Sequence, residues 1–235
     1  MFHMKNPEFK KWRKMWIDLA TFSGDQVPTP EEKIGRLIEL WNQEIPDGWQ
    51  RENLPKTFEW GYRRSLGGKK QTPEHELEKR LFKIKSLLKI DGYGSVDLLA
   101  NAFPLAKWRS VEADMVAVAK KDVATEIMVI EAKDKANNAW YAAVENLHQL
   151  KLFDANRRTN LEFLKNKVSD CVQGELAITG LVIAPPDFFE HKGQKGNATQ
   201  PAKNLVAAFQ RKLGVRVLFG KLHEDSSRIE IISQY

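Results

Sequence analysis

Cysteine is nearly absent from the sequence, and so are long hydrophobic runs. The one cysteine, Cys171, excludes an intramolecular disulfide framework and a zinc site built from several cysteines. The longest apolar stretches, such as residues 176–184, are far shorter than the roughly 20 residues that cross a bilayer. The first residues, MFHMKNPEFKKW, contain no apolar signal core. We therefore expect a cytoplasmic protein that has no membrane partner.

Several common catalytic motifs are also missing. The sequence contains no Gly-x-Ser-x-Gly, His-Glu-x-x-His or Cys-x-x-Cys, so it gives no sign of a serine esterase, a zinc protease or a thioredoxin-like protein. Residues 61–70, GYRRSLGGKK, are rich in glycine and basic residues. Their spacing does not match a phosphate-binding loop, and no Ser or Thr follows the lysines. We interpret this segment as a basic loop.

Excess charge of one sign is confined to a short window. Composition is that of a globular chain, with 42% hydrophobic and 29% charged residues, which argues against disorder. Residues 51–89 hold 11 Lys or Arg and 5 Asp or Glu, so they account for the whole formal net charge of +6. Trp60 and Tyr62 lie in the same window. Basic and aromatic residues together are typical of nucleic-acid contact, although a solvated helix face gives the same pattern.

The first 70 residues are predicted to be a helical region. Apolar residues at spacings of three and four indicate an amphipathic helix that includes Phe9, Trp12 and Trp16. A second helix is predicted to begin at Pro30, with Thr29 as its N-cap. We therefore divide the chain into a helical region, 1–70, and a second domain, 71–235.

The second domain is predicted to alternate strands and helices. A helix with Thr72 as N-cap is expected to run to about Lys89. The expected strands are 111–119, 127–132, 176–184, 215–218 and 228–232, and the expected helices are 137–153 and 201–213. This order predicts an α/β core with a mixed central sheet flanked by helices.

Two of these strands carry acidic residues that a hairpin would bring together. If 111–119 and 127–132 pair antiparallel around a turn at 122–123, Val116 lies opposite Val129 and Asp114 lies opposite Glu131. Lys133 lies on the same face as Glu131, because side chains alternate along a strand. Two carboxylates so close repel each other unless a cation lies between them. The pattern therefore predicts a functional site built from these charged residues. The alternative is a surface ion pair between Glu131 and Lys133 on a strand edge, which would contribute little to stability.

The types of residue at this site suit a hard divalent cation. Mg²⁺ prefers oxygen ligands, so we expect Asp114, Glu131 and the carbonyl oxygen of Ala132 to hold it. A bound water would then have a lowered pKa and could attack a phosphoryl group. Lys133 is expected to orient the hydroxide as a base or to offset charge in the transition state.

This pattern resembles the PD-(D/E)xK nuclease superfamily, which has the restriction-endonuclease-like fold. Asp114 matches the aspartate of the first motif, with Ala113 where proline often stands, and Glu131-Ala132-Lys133 matches the second motif. The resemblance extends over about residues 74–232. It implies a restriction-endonuclease-like core and catalysis with Mg²⁺, or alternatively Mn²⁺.

The resemblance also implies roles for two helical residues. Glu74 is similar to the glutamate that many members carry on the helix before the sheet, as a ligand and catalytic group. Glu78 is the alternative, and an acid in a first helical turn is favoured by the helix dipole in any case. Gln149, followed by Phe153, resembles a Gln-x-x-x-Tyr pattern in which glutamine contacts the catalytic site. An ordinary polar helix residue is the other interpretation.

The resemblance therefore implies a Mg²⁺-dependent DNA endonuclease of restriction, defence or DNA repair. The alternative is a non-catalytic nucleic-acid-binding module on the same fold. The helical region 1–70 is expected to bind DNA or to form a homodimer. The basic residues expected to contact DNA are Arg63, Arg64, Lys69, Lys70, Lys79 and Arg80.

Overall fold

The computed structural model describes twelve stretches of the chain: 6–21, 29–54, 58, 60–61, 72–84, 88–107, 111–121, 124–134, 138–165, 176–190, 198–223 and 227–232. Its helices are α1 (Pro7–Ala20), α2 (Pro30–Asn42), α3 (Pro73–Lys83), α4 (Ala139–Ala155), α5 (Arg157–Lys165), α6 (Pro186–Glu190) and α7 (Thr199–Leu213). Its strands are β1 (Lys89–Ile90), β2 (Gly94–Pro104), β3 (Glu112–Lys121), β4 (Ala124–Ala132), β5 (Ala177–Ala184), β6 (Arg216–Leu222) and β7 (Arg228–Ile231). None of these helices is long and apolar enough to cross a bilayer.

The helix starts follow from local sequence signals. Thr29 caps α2 in a reciprocal pair: its side chain accepts from the Glu32 N–H at 3.3 Å, and the Glu32 carboxylate accepts from the Thr29 N–H at 2.8 Å. Thr72 caps α3 in the same way with His75. The predicted starts are therefore confirmed. The predicted extension of the third helix to about Lys89 is wrong, because Lys89 lies in β1.

The seven strands form a closed barrel in the order β1 to β7, with β1 pairing to both β2 and β7. The restriction-endonuclease-like core with a mixed central sheet flanked by helices, expected from the sequence, is therefore wrong, because the sheet is not open but closes on itself. β4, β5 and β6 are parallel neighbours, β1 pairs parallel with β7, and the other pairs are antiparallel. Closure depends on β1 and β2, which were not predicted. Gly92, with φ of 76°, lies in the turn between these strands, and Gly94, with φ of 71°, is the first residue of β2.

The predicted hairpin of β3 and β4 has the expected register. Val116 lies opposite Val129, and the pairing continues to Met115 opposite Ile130. Asp114 and Glu131 are the next residues on the two strands, at the end of the ladder. Residues 122–123, where the turn was predicted, lie outside the described residues.

Two hydrophobic clusters cover the two faces of the sheet, because successive strand residues point to opposite sides. One contains Val116 and Val129 together with side chains of α1, α2, α4 and α7, and the other contains Met115 and Ile130 with α3. Trp12 and Trp16 of α1 are buried in the first cluster. The division of the chain at residue 70 stays a prediction, and described residues from both sides of it share this first cluster.

Helix α4 lies very close to β5, and a glycine makes this possible. A Cβ on Gly180 would lie 2.1 Å from Asn146 Oδ1 and 2.8 Å from Leu150 Cδ1, both on α4. Because real Cβ atoms do not approach so closely, only glycine fits here without a shift of these side chains or of the helix that carries them. The contact sets the position of α4 over the sheet, and with it the side chains that α4 directs toward the end of β4.

Candidate active site

Lys133 lies at the centre of an acidic cluster just beyond the end of β4. Its backbone N–H donates to Ile183 O at 2.8 Å, which holds it against β5. Its Nζ contacts Glu131 Oε1, lies 2.9 Å from Glu145 Oε2 and lies 3.8 Å from Glu74 Oε1. The Glu145 contact is an ion pair whose angles fall outside hydrogen-bond geometry. The lysine side chain is thus held by acids from three elements of the fold.

Glu131 is buried and is oriented by helix α4. Its Oε2 accepts a hydrogen bond from Gln149 Nε2, so both of its oxygens have a partner. Asn146 lies one turn earlier on the same helix face, and its Nδ2 donates to Val129 O at 3.0 Å and approaches Gln149 Oε1 at 3.4 Å. The structure therefore brings the predicted residues Glu131, Lys133 and Gln149 into direct contact.

Asp114 is held beside Glu131 by the backbone of β4. Its Oδ2 accepts a hydrogen bond from the Ala132 N–H at 2.8 Å. The contact spans the end of the β3–β4 ladder, where the backbone pairs stop. Ala132 thus orients Asp114 through its N–H, and the role predicted for its carbonyl oxygen stays a prediction.

Helix α3 contributes two acids, and the more deeply buried one is Glu78. Its Oε2 accepts from Asn101 Nδ2 of β2 at 3.1 Å, and both side chains are buried. The Glu74 side chain is 31% exposed and approaches Lys133 from the rim. Since residues four apart share a helix face, the two acids extend the cluster along α3. The catalytic and metal-binding role of Glu74 stays a prediction.

Sequence reasoning missed Glu145 and Asn101. Glu145 lies one helical turn before Gln149, and that spacing on a predicted helix was a signal that could have found it. Asn101 lies on β2, in a segment that was given no secondary structure, so no pattern pointed to it.

The environment of the cluster raises the pKa values of three of its acids, Asp114, Glu131 and Glu78. Burial raises the pKa of Asp114 to about 6, and Lys133 opposes that shift. Burial, and then Asp114, raise the pKa of Glu131 well above its usual value and that of Glu78 to about 8. Burial disfavours the charge on Lys133, but Glu131, Glu145 and Asp114 outweigh it and raise the lysine pKa. One ammonium is too little positive charge for this group of carboxylates.

The residues at the end of β3 and β4 fit a Mg²⁺ ion. Among the described residues, no group of three or more His, Cys, Asp or Glu side chains is arranged to hold a metal. Mg²⁺ requires fewer protein ligands, since it binds through one or two carboxylates and keeps several waters. Asp114 and Glu131 supply such a pair, and a cation beside them would oppose the burial and the neighbouring acids that raise their pKa values.

The residues predicted to contact DNA are only partly described. Lys79 Nζ lies 3.8 Å from Glu76 Oε2 within α3, and Arg80 Nη2 donates to His223 O at 2.9 Å. Neither contact joins these two residues to Lys133. The other four lie outside the described residues: Arg63, Arg64, Lys69 and Lys70.

Comparison with known proteins gives no relative. No protein-family model, no curated protein and no solved structure matches the chain. The chemistry of the site therefore has to be argued from its own residues: the buried carboxylates, the lysine that they surround and the amide side chains that orient them.

Proposed function

We propose that the protein is a Mg²⁺-dependent nuclease that cuts DNA internally, in restriction, defence or repair. The observation that supports this proposal is the buried carboxylate of Glu131, held between Lys133 and Gln149. A buried carboxylate is costly unless it is paired, and here Asp114 adds a second one at the same strand ends. Such an arrangement suits a hard cation and a phosphate substrate.

Each of these side chains has a role in the proposed reaction. Asp114 and Glu131 would hold the ion, which would supply a water of lowered pKa and charge stabilisation. The Ala132 N–H and the Gln149 amide fix the orientation of the two carboxylates, which preorganises the site. Glu74 would support Lys133 from the rim of the site.

Lys133 is best suited to stabilise charge rather than to take a proton. Its acidic neighbours raise its pKa, so it keeps its positive charge at neutral pH. A fixed cation beside the reacting phosphate stabilises the negative charge that develops on the phosphoryl oxygens in the transition state. Of the two roles that the sequence left open, charge stabilisation therefore has the better physical support.

The test compares cleavage of supercoiled and linear DNA in Mg²⁺ and in EDTA. We expect nicking of the circle by the native protein, and a loss of about 10²–10³-fold in rate for Lys133→Met and for Asp114→Asn. Lys33→Met is a matched control, since Lys33 is also a buried lysine but lies on α2 and donates to Thr21 O. It should retain the native rate if it remains folded.

The other outcomes separate the alternatives. Loss of linear DNA from its ends, with the circle intact, would indicate an exonuclease. DNA that is bound but never cut would favour a non-catalytic nucleic-acid-binding module. Equal rates for Lys133→Met and Lys33→Met would refute the site.

A further inference from the structure

A small cavity lies between α1 and α4, next to Lys133. Its volume is about 70 Å³, and its lining includes Arg13 and Trp16 of α1 together with Tyr141, Glu145 and His148 of α4. Two of these lining residues also contact the lysine. Glu145 Oε2 lies 2.9 Å from Lys133 Nζ, and Nζ lies 5.8 Å from the centre of the Tyr141 ring. The cavity therefore adjoins the candidate active site.

The size of the cavity limits what it can hold. At about 10–15 Å³ for each water, it has room for about five waters. A phosphate group, with its phosphorus and four oxygens, is of this size, whereas a nucleobase is larger. The cavity is thus suited to a small tetrahedral group rather than to a base.

Arg13 supplies positive charge that is only partly compensated. Burial lowers the pKa of its guanidinium, and the attraction of Glu145 does not make up for this loss. Glu145 is also shared with Lys133. Among the described residues, the one carboxylate that attracts the Arg13 guanidinium is that of Glu145. A partly desolvated guanidinium that shares its carboxylate gains from a further anion, and its planar fork matches phosphate oxygens.

His148 lines the same cavity, and one of its two ring nitrogens has no hydrogen-bond partner among the described residues. Its Nε2 is buried without a hydrogen bond, and its ring centre lies 5.3 Å from that of Trp12 and 5.5 Å from that of Trp16. Burial, and then Arg13, lower the His148 pKa to about 3. The ring is therefore neutral and carries one N–H, which can donate to an anion.

We propose that this cavity is a subsite for a phosphate group of the nucleic-acid substrate, held by Arg13 with His148, next to the phosphate that is cut. This inference rests on the proposed function and gives helix α1 a part in substrate binding. The phosphate comes from one of two sources, a terminal monophosphate or an internal phosphodiester.

The test measures binding of DNA in EDTA, where no cleavage occurs. Fluorescence anisotropy would follow labelled duplexes with 5′-phosphate, 3′-phosphate or hydroxyl ends, with covalently closed circles as competitors. Lys14→Ala is the matched control for Arg13→Ala, because it removes the same charge from the same helix at an exposed side chain that pairs with Asp18. We expect Arg13→Ala to weaken binding at least about tenfold, Arg13→Lys to weaken it less, and Lys14→Ala to change it less than about twofold.

The pattern of loss identifies the source of the phosphate. A loss confined to one phosphorylated end indicates a terminal phosphate, and an equal loss for all duplexes and circles indicates an internal phosphodiester. Equal affinities for Arg13→Ala and Lys14→Ala would overturn the proposal. Thermal unfolding shows whether each variant is folded. If Arg13→Ala does not fold, the binding affinity of Arg13→Lys is compared with that of Lys14→Ala instead.

Failure of this inference can be told apart from failure of the proposed function. DNA that the native protein binds but does not cut in Mg²⁺ refutes the nuclease and leaves the subsite supported, provided that Arg13→Ala weakens binding. Native cleavage together with unchanged binding by Arg13→Ala refutes the subsite alone. A native protein that binds no DNA refutes both.

Discussion

Replacing Glu78 with glutamine should stabilise the metal-free protein, and more so as the pH rises. Glu78 is buried on α3 and accepts a hydrogen bond from Asn101 Nδ2 at 3.1 Å. A glutamine has nearly the same shape and keeps an oxygen that can accept this bond. The substitution therefore removes the ionisable group with little change in packing.

The expected magnitude follows from the pKa of Glu78. Burial, and then the charge of Asp114, raise it to about 8 from an ordinary value of 4.5. Because the folded-state pKa lies above the unfolded one, the folded state binds the proton more tightly, and stability is lost as the pH rises from about 4.5 toward 8. The slope approaches about 1.4 kcal/mol per pH unit, so about 3 kcal/mol is lost by pH 7. Glu78→Gln has no ionisable group at this position, so its free energy of unfolding does not fall in this way as the pH rises.

The assay is urea unfolding in EDTA at several pH values between 4.5 and 8. The quantity of interest is the free energy of unfolding of Glu78→Gln minus that of the native protein, which should rise from near zero at pH 4.5 to about 3 kcal/mol at pH 7. Glu76→Gln is the control, since it removes a carboxylate from an exposed position of the same helix. A difference that stays flat with pH, or the same slope for the control, would refute the reasoning.

Two further predictions concern packing and metal binding. Gly180→Ala should lower the free energy of unfolding, measured in urea, by about 1–3 kcal/mol, because its Cβ would lie 2.1 Å from Asn146 Oδ1. Gly35→Ala is the control, since Gly35 lies on α2 with open space around it. It should leave the free energy of unfolding unchanged or raise it by up to about 1 kcal/mol. Mg²⁺ at 100 times its dissociation constant should raise the free energy of unfolding by about 2.7 kcal/mol at pH 8. The increase should be smaller at pH 5, where protons compete with the ion for the carboxylates. Asp114→Asn should remove most of that gain, and an unchanged gain in thermal unfolding would contradict the assigned ligand.

Parts of the candidate site could be predicted because their signals are local. The register of β3 and β4 follows from two apolar runs that alternate in phase around a short turn, and the structure has that register. The register brings Asp114 and Glu131 to the same strand ends. Lys133 then lies on the correct face through the two-residue period of the strand. None of these steps needs a contact with a distant part of the chain.

Other parts depend on contacts between residues far apart in sequence. Asn101 reaches Glu78 across 23 residues, and this contact requires α3 to pack against the sheet that contains β2. Arg13 lies near Glu145 because α1 packs on α4. Nothing in the local pattern around these residues indicates which distant segment they meet.

The sequence by itself determined the starts of α2 and α3, the hairpin of β3 and β4 and the types of residue at its end, because caps and hydrophobic periods act over a few neighbouring residues. Only the tertiary structure decided that the sheet closes into a barrel. That closure depends on the two residues of β1, which pair with β7 near the C-terminal end of the described residues. Two residues are too few to form a strand from their own propensity. Their conformation is set by the strands on either side of them, which only the folded chain brings together.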